Sequence, residues 1–164
     1  MEVGTDEAAD ATAALREAEP FRELSEGLRK RIEAIARPVR LAAGEHLYSA
    51  GDPAADIYVV ASGRIEHVFK REVGAREALK RIGRGGVFGW AGLLLGSTGR
   101  LATASAAEPS VLLRIPTEEL VKVLESEPVE GKAVMDRFGS LIQQGYAVPT
   151  FLAQVRRLSG APMT

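Results

Sequence analysis

An α+β domain, in which a barrel or sandwich of short antiparallel strands is flanked by helices, is the fold class this sequence predicts. Three observations predict it. Residues 38–116 hold runs of three to seven strand-forming residues separated by Gly, Asp and Pro turn signals. Both flanks of that zone carry apolar residues at helical spacing. The composition, 46% hydrophobic and 26% charged over 164 residues, is that of one ordinary globular core.

The elements follow in order. Residues 1–19 are acidic and alanine-rich, with good helix formers but few large apolar residues, so a helix prone to fraying, or a disordered piece, is expected there. In "PFRELSEGLRKRIEAIA", Leu28, Ile32 and Ile35 share one helical face, Ser25 is placed to cap it, and Pro38 limits it. Strands are read in "VRL", "HLY", "IYVVA", "RIEHVFK", "EALKRI", "LATASA" and "VLLRIP". Gly44, Gly51, Gly63, Gly74 and Gly83 sit where tight turns call for positive φ. Alternation selects Ile57, Val59, Ile65, His67 and Phe69 as the inward set. Thr117 is expected to cap "EELVKVLESE", which Pro128 ends. Val134, Met135, Phe138, Leu141 and Ile142 stripe the next helix, and "FLAQVRRL" is a last short helical piece.

Composition also excludes. There is no cysteine, hence no disulfide, thiolate metal site or cysteine nucleophile. With two histidines, His46 and His67, the chain lacks the cluster a metal-dependent barrel enzyme needs, and neither histidine lies in a serine-elbow context. No signal-peptide pattern opens the chain, and "GWAGLLLG" is far short of the ~20 residues of a membrane span, so a cytoplasmic protein without membrane contact is expected. The formal net charge is −1. It is uneven, with seven basic and three acidic residues in 64–84 against five basic and nine acidic in 1–36. Two solvated faces, or a basic face drawing an anionic partner, both fit that distribution.

The stretch "GGVFGWAGLLLGSTGRLATASA", residues 85–106, is too glycine-rich for a plain strand and too apolar for a plain loop. A short helix starting near Gly89 presents free backbone N–H groups, which favour an anion. Arg100 has a planar fork of donors suited to phosphate oxygens, and a surface or ion-paired arginine is the alternative. His67 either lines the same pocket or is an ordinary interior histidine.

Helix, short-stranded barrel and helix, with "GEHLYSAGDPAADIYVVASGRI" and "GRGGVFGWAGLL…GRLATASA", resemble the cyclic-nucleotide-binding domain family of catabolite-activator and protein-kinase-A regulatory type. The resemblance spans residues 20–127. It implies a double-stranded β-helix, a jelly-roll-like barrel of about eight short antiparallel strands. It divides the chain into an acidic N-terminal helix (1–19), the ligand-binding-like domain (20–127) and a C-terminal helical extension (128–164). It also implies a phosphate-binding cassette, whose Phe-Gly opening matches Phe88 and Gly89 and whose arginine matches Arg100. Trp90 stands where the family has a glutamate that accepts a hydrogen bond from the ribose hydroxyl. An indole is donor only, so the cassette keeps its anion half and loses its sugar half. Trp90 either seals an empty pocket or stacks on a ligand.

The resemblance thus implies a non-enzymatic, ligand-sensing regulatory module without a metal or resident cofactor. Its ligand would be a cyclic nucleotide or another phosphate-type anion, with Gly89, Trp90, Ala91, Arg100, Leu101 and His67 as binding residues. The alternative is a degenerate domain acting in protein interaction or oligomerisation. A protein partner or homodimer through the C-terminal helices is expected, their apolar stripe being equally suited to intramolecular packing. Direct DNA binding is not, because no helix-turn-helix follows the long helix before Thr164.

Overall fold

The computed structural model describes residues 4–69, 78–90, 93 and 99–145. Helix α1 (Thr5–Glu17) is followed by a 3-10 turn (Glu19–Phe21) and α2 (Glu26–Ile35). Eight strands come next: β1 (Arg37–Leu41), β2 (His46–Tyr48), β3 (Asp56–Ser62), β4 (Ile65–Phe69), β5 (Ala78–Ile82), β6 (Val87–Phe88), β7 (Ala102–Ala106) and β8 (Ser110–Pro116). Helices α3 (Thr117–Glu125) and α4 (Pro128–Gly145) follow. Piece 151–158, Gly74 and the side chain of Ile142 lie outside the described residues.

The α+β class is as expected. The strands form two four-stranded antiparallel sheets, ordered β1-β8-β3-β6 and β2-β7-β4-β5. Among the described residues no ladder joins one sheet to the other, so a closed barrel is not seen. Leu41, Tyr58, Val60, Phe88 and Leu112 of the first sheet pack against Tyr48, Ile65, Ile82, Ala104 and Ala106 of the second. The outer face of the first sheet is covered too: Ile57, Val59, Ala61, Leu113 and Ile115 meet Leu15, Ile32, Leu120 and Phe138 of the helices.

That second layer corrects the expected inward set. In β4 the alternation reads true, with Ile65, His67 and Phe69 buried and Glu66 and Val68 less so. In β3 the faces are reversed: Tyr58 and Val60 point between the sheets, and Ile57 and Val59 face the helices. A strand covered on both sides is apolar throughout and carries no alternation from which to choose.

Local signals mostly hold. The Ser25 hydroxyl accepts a hydrogen bond from the Leu28 N–H at 3.3 Å, capping α2. Helix α3 ends before Pro128. Thr117 is not its cap. The chain passes from β8 into α3 with Pro116 at the cap position, and the Thr117 N–H is taken by the Ala55 carbonyl at 2.9 Å. Positive φ occurs at Gly44, Gly51 and Gly63, but at Gly85 and Gly89 rather than Gly83. Helix α1 packs on β3 and β8, with Ala11, Ala14 and Leu15 fully buried. Arg84 ties it down by bonds to Asp10 (3.0 Å), Glu17 (2.7 Å) and the Ala61 carbonyl (2.8 Å), and Glu7 pairs with Arg40. In the apolar stripe of α4, Val134 and Phe138 are fully buried, Met135 and Leu141 are half-buried, and Phe138 meets Phe21 edge-on at 5.6 Å.

Candidate anion-binding site

Strand β6 is two residues long because Gly89 turns the chain out of it. Gly89 has φ +80°, which L side chains rarely adopt, and a Cβ there would lie 2.8 Å from Arg100 Nη1 and 3.2 Å from the Asp56 carbonyl oxygen. Glycine is therefore required for the close approach of Arg100.

Arg100 comes from the segment entering β7. Its backbone is fixed on both sides: its N–H donates to the Asp52 carbonyl and its own carbonyl accepts from the Gly51 N–H, each at 2.8 Å. The side chain runs inward and is 6% exposed. Nη1 donates to the Gly89 carbonyl at 3.0 Å, and the guanidinium lies 4.2 Å from the Tyr48 ring centroid and 5.7 Å from that of Tyr58. Its Nε is buried without a hydrogen-bond partner, and among the described residues no carboxylate pairs with it. The cation is held by aromatic faces and one carbonyl, which attract it less than a carboxylate would.

The aromatic wall is continuous. Tyr58 stacks on Phe88 at 5.3 Å, and Tyr48 lies 6.1 Å from Tyr58. The Tyr48 hydroxyl is hydrogen-bonded to His67 Nε2 at 2.8 Å. His67 is 6% exposed, and its pKa is pushed down to about 3, mainly by burial and then by Arg100 and Lys80. A neutral imidazole results, which adds no positive charge beside Arg100. Lys80 stands opposite His67 across β4 and β5, and burial lowers its pKa. From β8, the half-buried Arg114 places its guanidinium 5.8 Å from the Tyr58 ring centroid. The Tyr58 phenol is pushed up, chiefly by burial, with Arg114 opposing.

Of the residues singled out from sequence, Gly89, Arg100 and His67 gather around this wall, His67 through Tyr48. Trp90 and Leu101 do not join it. Trp90 is 4% exposed and, like Leu101, packs in the cluster that extends beneath the helices. Ala91 lies outside the described residues. Tyr48, Tyr58 and Arg114 were not anticipated as neighbours of the arginine, whereas Phe88 was matched to the opening of the same cassette. For Tyr58 the reversed reading of β3 concealed it, whereas Tyr48, the last residue of "HLY", was open to the same inward argument as His67. No group of three or more potential metal ligands occurs among the described residues.

Two antiparallel sheets, helices at either flank and an inward arginine beside a glycine-ended strand are the features by which the domain can be classed. The model of the family described as "Cyclic nucleotide-binding domain" matches residues 38–127, more than half of the chain, and the chain belongs to that family. A neuropathy target esterase from Drosophila virilis is 29% identical over 96 residues, covering 55% of this chain and 6% of the esterase's length. The sensor domain of the transcriptional regulator DNR from Pseudomonas aeruginosa superposes with a TM-score of 0.69 at 21% identity, over 87% of this chain and 96% of that one. The regulatory domain of Toxoplasma gondii PKA, crystallised with cAMP, gives 0.63 at 21% identity, over 74% of this chain and 46% of that one. These last two likenesses concern fold alone. No described helix is long and apolar enough to cross a membrane.

Proposed function

We propose that this chain is a non-enzymatic regulatory module that binds a nucleotide or another phosphate-type anion against Gly89 and Arg100. The observation that carries the reading is a guanidinium 6% exposed, with no carboxylate partner among the described residues. Leaving such a charge buried is costly unless something neutralises it. Family membership supports a regulatory role, and the fold it brings is consistent with a jelly-roll-like arrangement of the two sheets. Trp90 replaces the sugar-binding glutamate, so the reading favours recognition of the anion over recognition of a ribose hydroxyl. Ligand occupancy would act on a partner through α3, which packs on β3 and β8 of the sheet that carries Tyr58, and through α4, which packs on α3.

A thermal-shift screen of cyclic mono- and dinucleotides tests this. A ligand at ~100 times its Kd adds about 2.7 kcal/mol, or about 5–10 °C for a chain of this size. Arg100→Ala should weaken binding roughly ten- to over a hundredfold. Binding that survives Arg100→Ala would place the site elsewhere. A second reading, an interaction or oligomerisation module without a small ligand, rests on Trp90, a buried donor-only side chain that gives a ribose hydroxyl no acceptor. A folded protein that no anion stabilises, but that self-associates in sedimentation, would select it.

A further inference from the structure

Among the described residues a second arginine stands near the same ring as Arg100. Arg114 projects from β8 beside Tyr58, its register partner on β3, and its Nε is likewise buried without a hydrogen-bond partner. The two guanidiniums lie 5.7 and 5.8 Å from the centroid of the same Tyr58 ring. Among the described residues neither makes an ion pair. The β1–β8 register adds a third arginine, Arg37, directly across from Arg114. Like charges facing each other across strands are unfavourable. Arg37 instead turns to the carbonyls of Ala34 and Ala36, at 3.0 and 2.9 Å, leaving Arg114 as the inward cation of that pair. The carboxylate that acts on Tyr58 from this end is Asp56, a single negative group against two guanidiniums.

Resting on the reading of Arg100 as an anion contact, we propose that Arg100 and Arg114 form a two-arginine site around Tyr58, and that its ligand presents a doubly charged phosphate rather than the single charge of a cyclic phosphodiester. Each guanidinium has a buried Nε–H without a hydrogen-bond partner and supplies one positive charge. A phosphomonoester or pyrophosphate group offers both the charges and the several oxygens to meet them. A cyclic phosphodiester has one charge and two free oxygens, which a single arginine satisfies.

Calorimetry on the intact chain at pH 7.5, with adenosine 5′-monophosphate, inorganic pyrophosphate and cyclic AMP as probes, tests this. The monophosphate should bind at least tenfold more tightly than cyclic AMP, and Arg114→Gln should abolish that preference. Arg114→Lys, which keeps the charge but not the fork, should retain part of it. The preference should also shrink below pH ~6, where the second phosphate proton returns. Pyrophosphate binding as tightly as the nucleotide would assign the affinity to the anion; nucleotide alone would add a base contact to the same pair. Cyclic AMP binding as tightly as the monophosphate, lost in Arg100→Gln but not in Arg114→Gln, would overturn the pair and leave the single-anion reading standing. If no probe binds the folded protein, both fall. Should Arg114→Gln fail to fold, the comparison of probes on the unaltered chain and on Arg114→Lys decides.

Discussion

At Gly89 the backbone and the arginine make one demand, and a methyl group violates both parts of it. Gly89→Ala strains a positive-φ position and presses on Arg100 Nη1 and the Asp56 carbonyl, so a loss of about 1–3 kcal/mol is expected in a denaturant titration. His67 gives a pH signature. The unfolded chain takes up its proton near pH 6.5 and the folded chain only near 3. Stability from this residue is therefore full above pH 6.5 and falls as pH drops through that window, by up to about 1.4 kcal/mol per unit. His67→Gln should flatten the acid limb of a stability-against-pH curve; an unchanged limb would count against the buried neutral imidazole. Much of this site was legible as residue types: a glycine and an arginine eleven positions apart, and a histidine on an inward strand face. Their aromatic supports were not. Tyr58 belongs to a strand without alternation, and Arg114 reads as a surface charge until the register places it beside Tyr58.

Helix α1 shows why elements are harder to judge than residues. Its sequence offers one large apolar side chain among alanines, which suggests weak anchoring. The small residues let the helix sit close on β3 and β8, and Leu15 is fully buried there. Leu15→Ala should cost about 2–5 kcal/mol in a chemical melt, the range for a buried leucine rather than for a fraying end. Helix α2 has the opposite character, its cap and apolar face being readable at once. Ser25→Ala should lower stability by about 0.5–2 kcal/mol. The Ser25 N–H also donates to the Glu130 carboxylate of α4 at 2.9 Å, an acceptor 105 residues away that no local pattern announces. Strand existence was legible from turn signals except for β6, whose two residues lie inside the glycine-rich stretch. The face each strand presents was legible only where one side stays polar, as in β4.

For the whole molecule, the helices of the two flanks form one layer over one sheet. Phe138→Ala should cost about 3–5 kcal/mol, read as a lower midpoint at unchanged slope in denaturant. Because Phe21 and Phe138 touch, Phe21→Ala and the double variant should show a coupling of about 0.5–1.5 kcal/mol. This closure bears on how the chain is made. A ribosome releases α1, α2 and the strands before the residues around Phe138 exist, so Phe21 must wait for a partner synthesised more than a hundred residues later. Contacts of that separation slow folding. The nascent domain should therefore resist protease only after α4 has left the exit tunnel, however early its strands begin to pair.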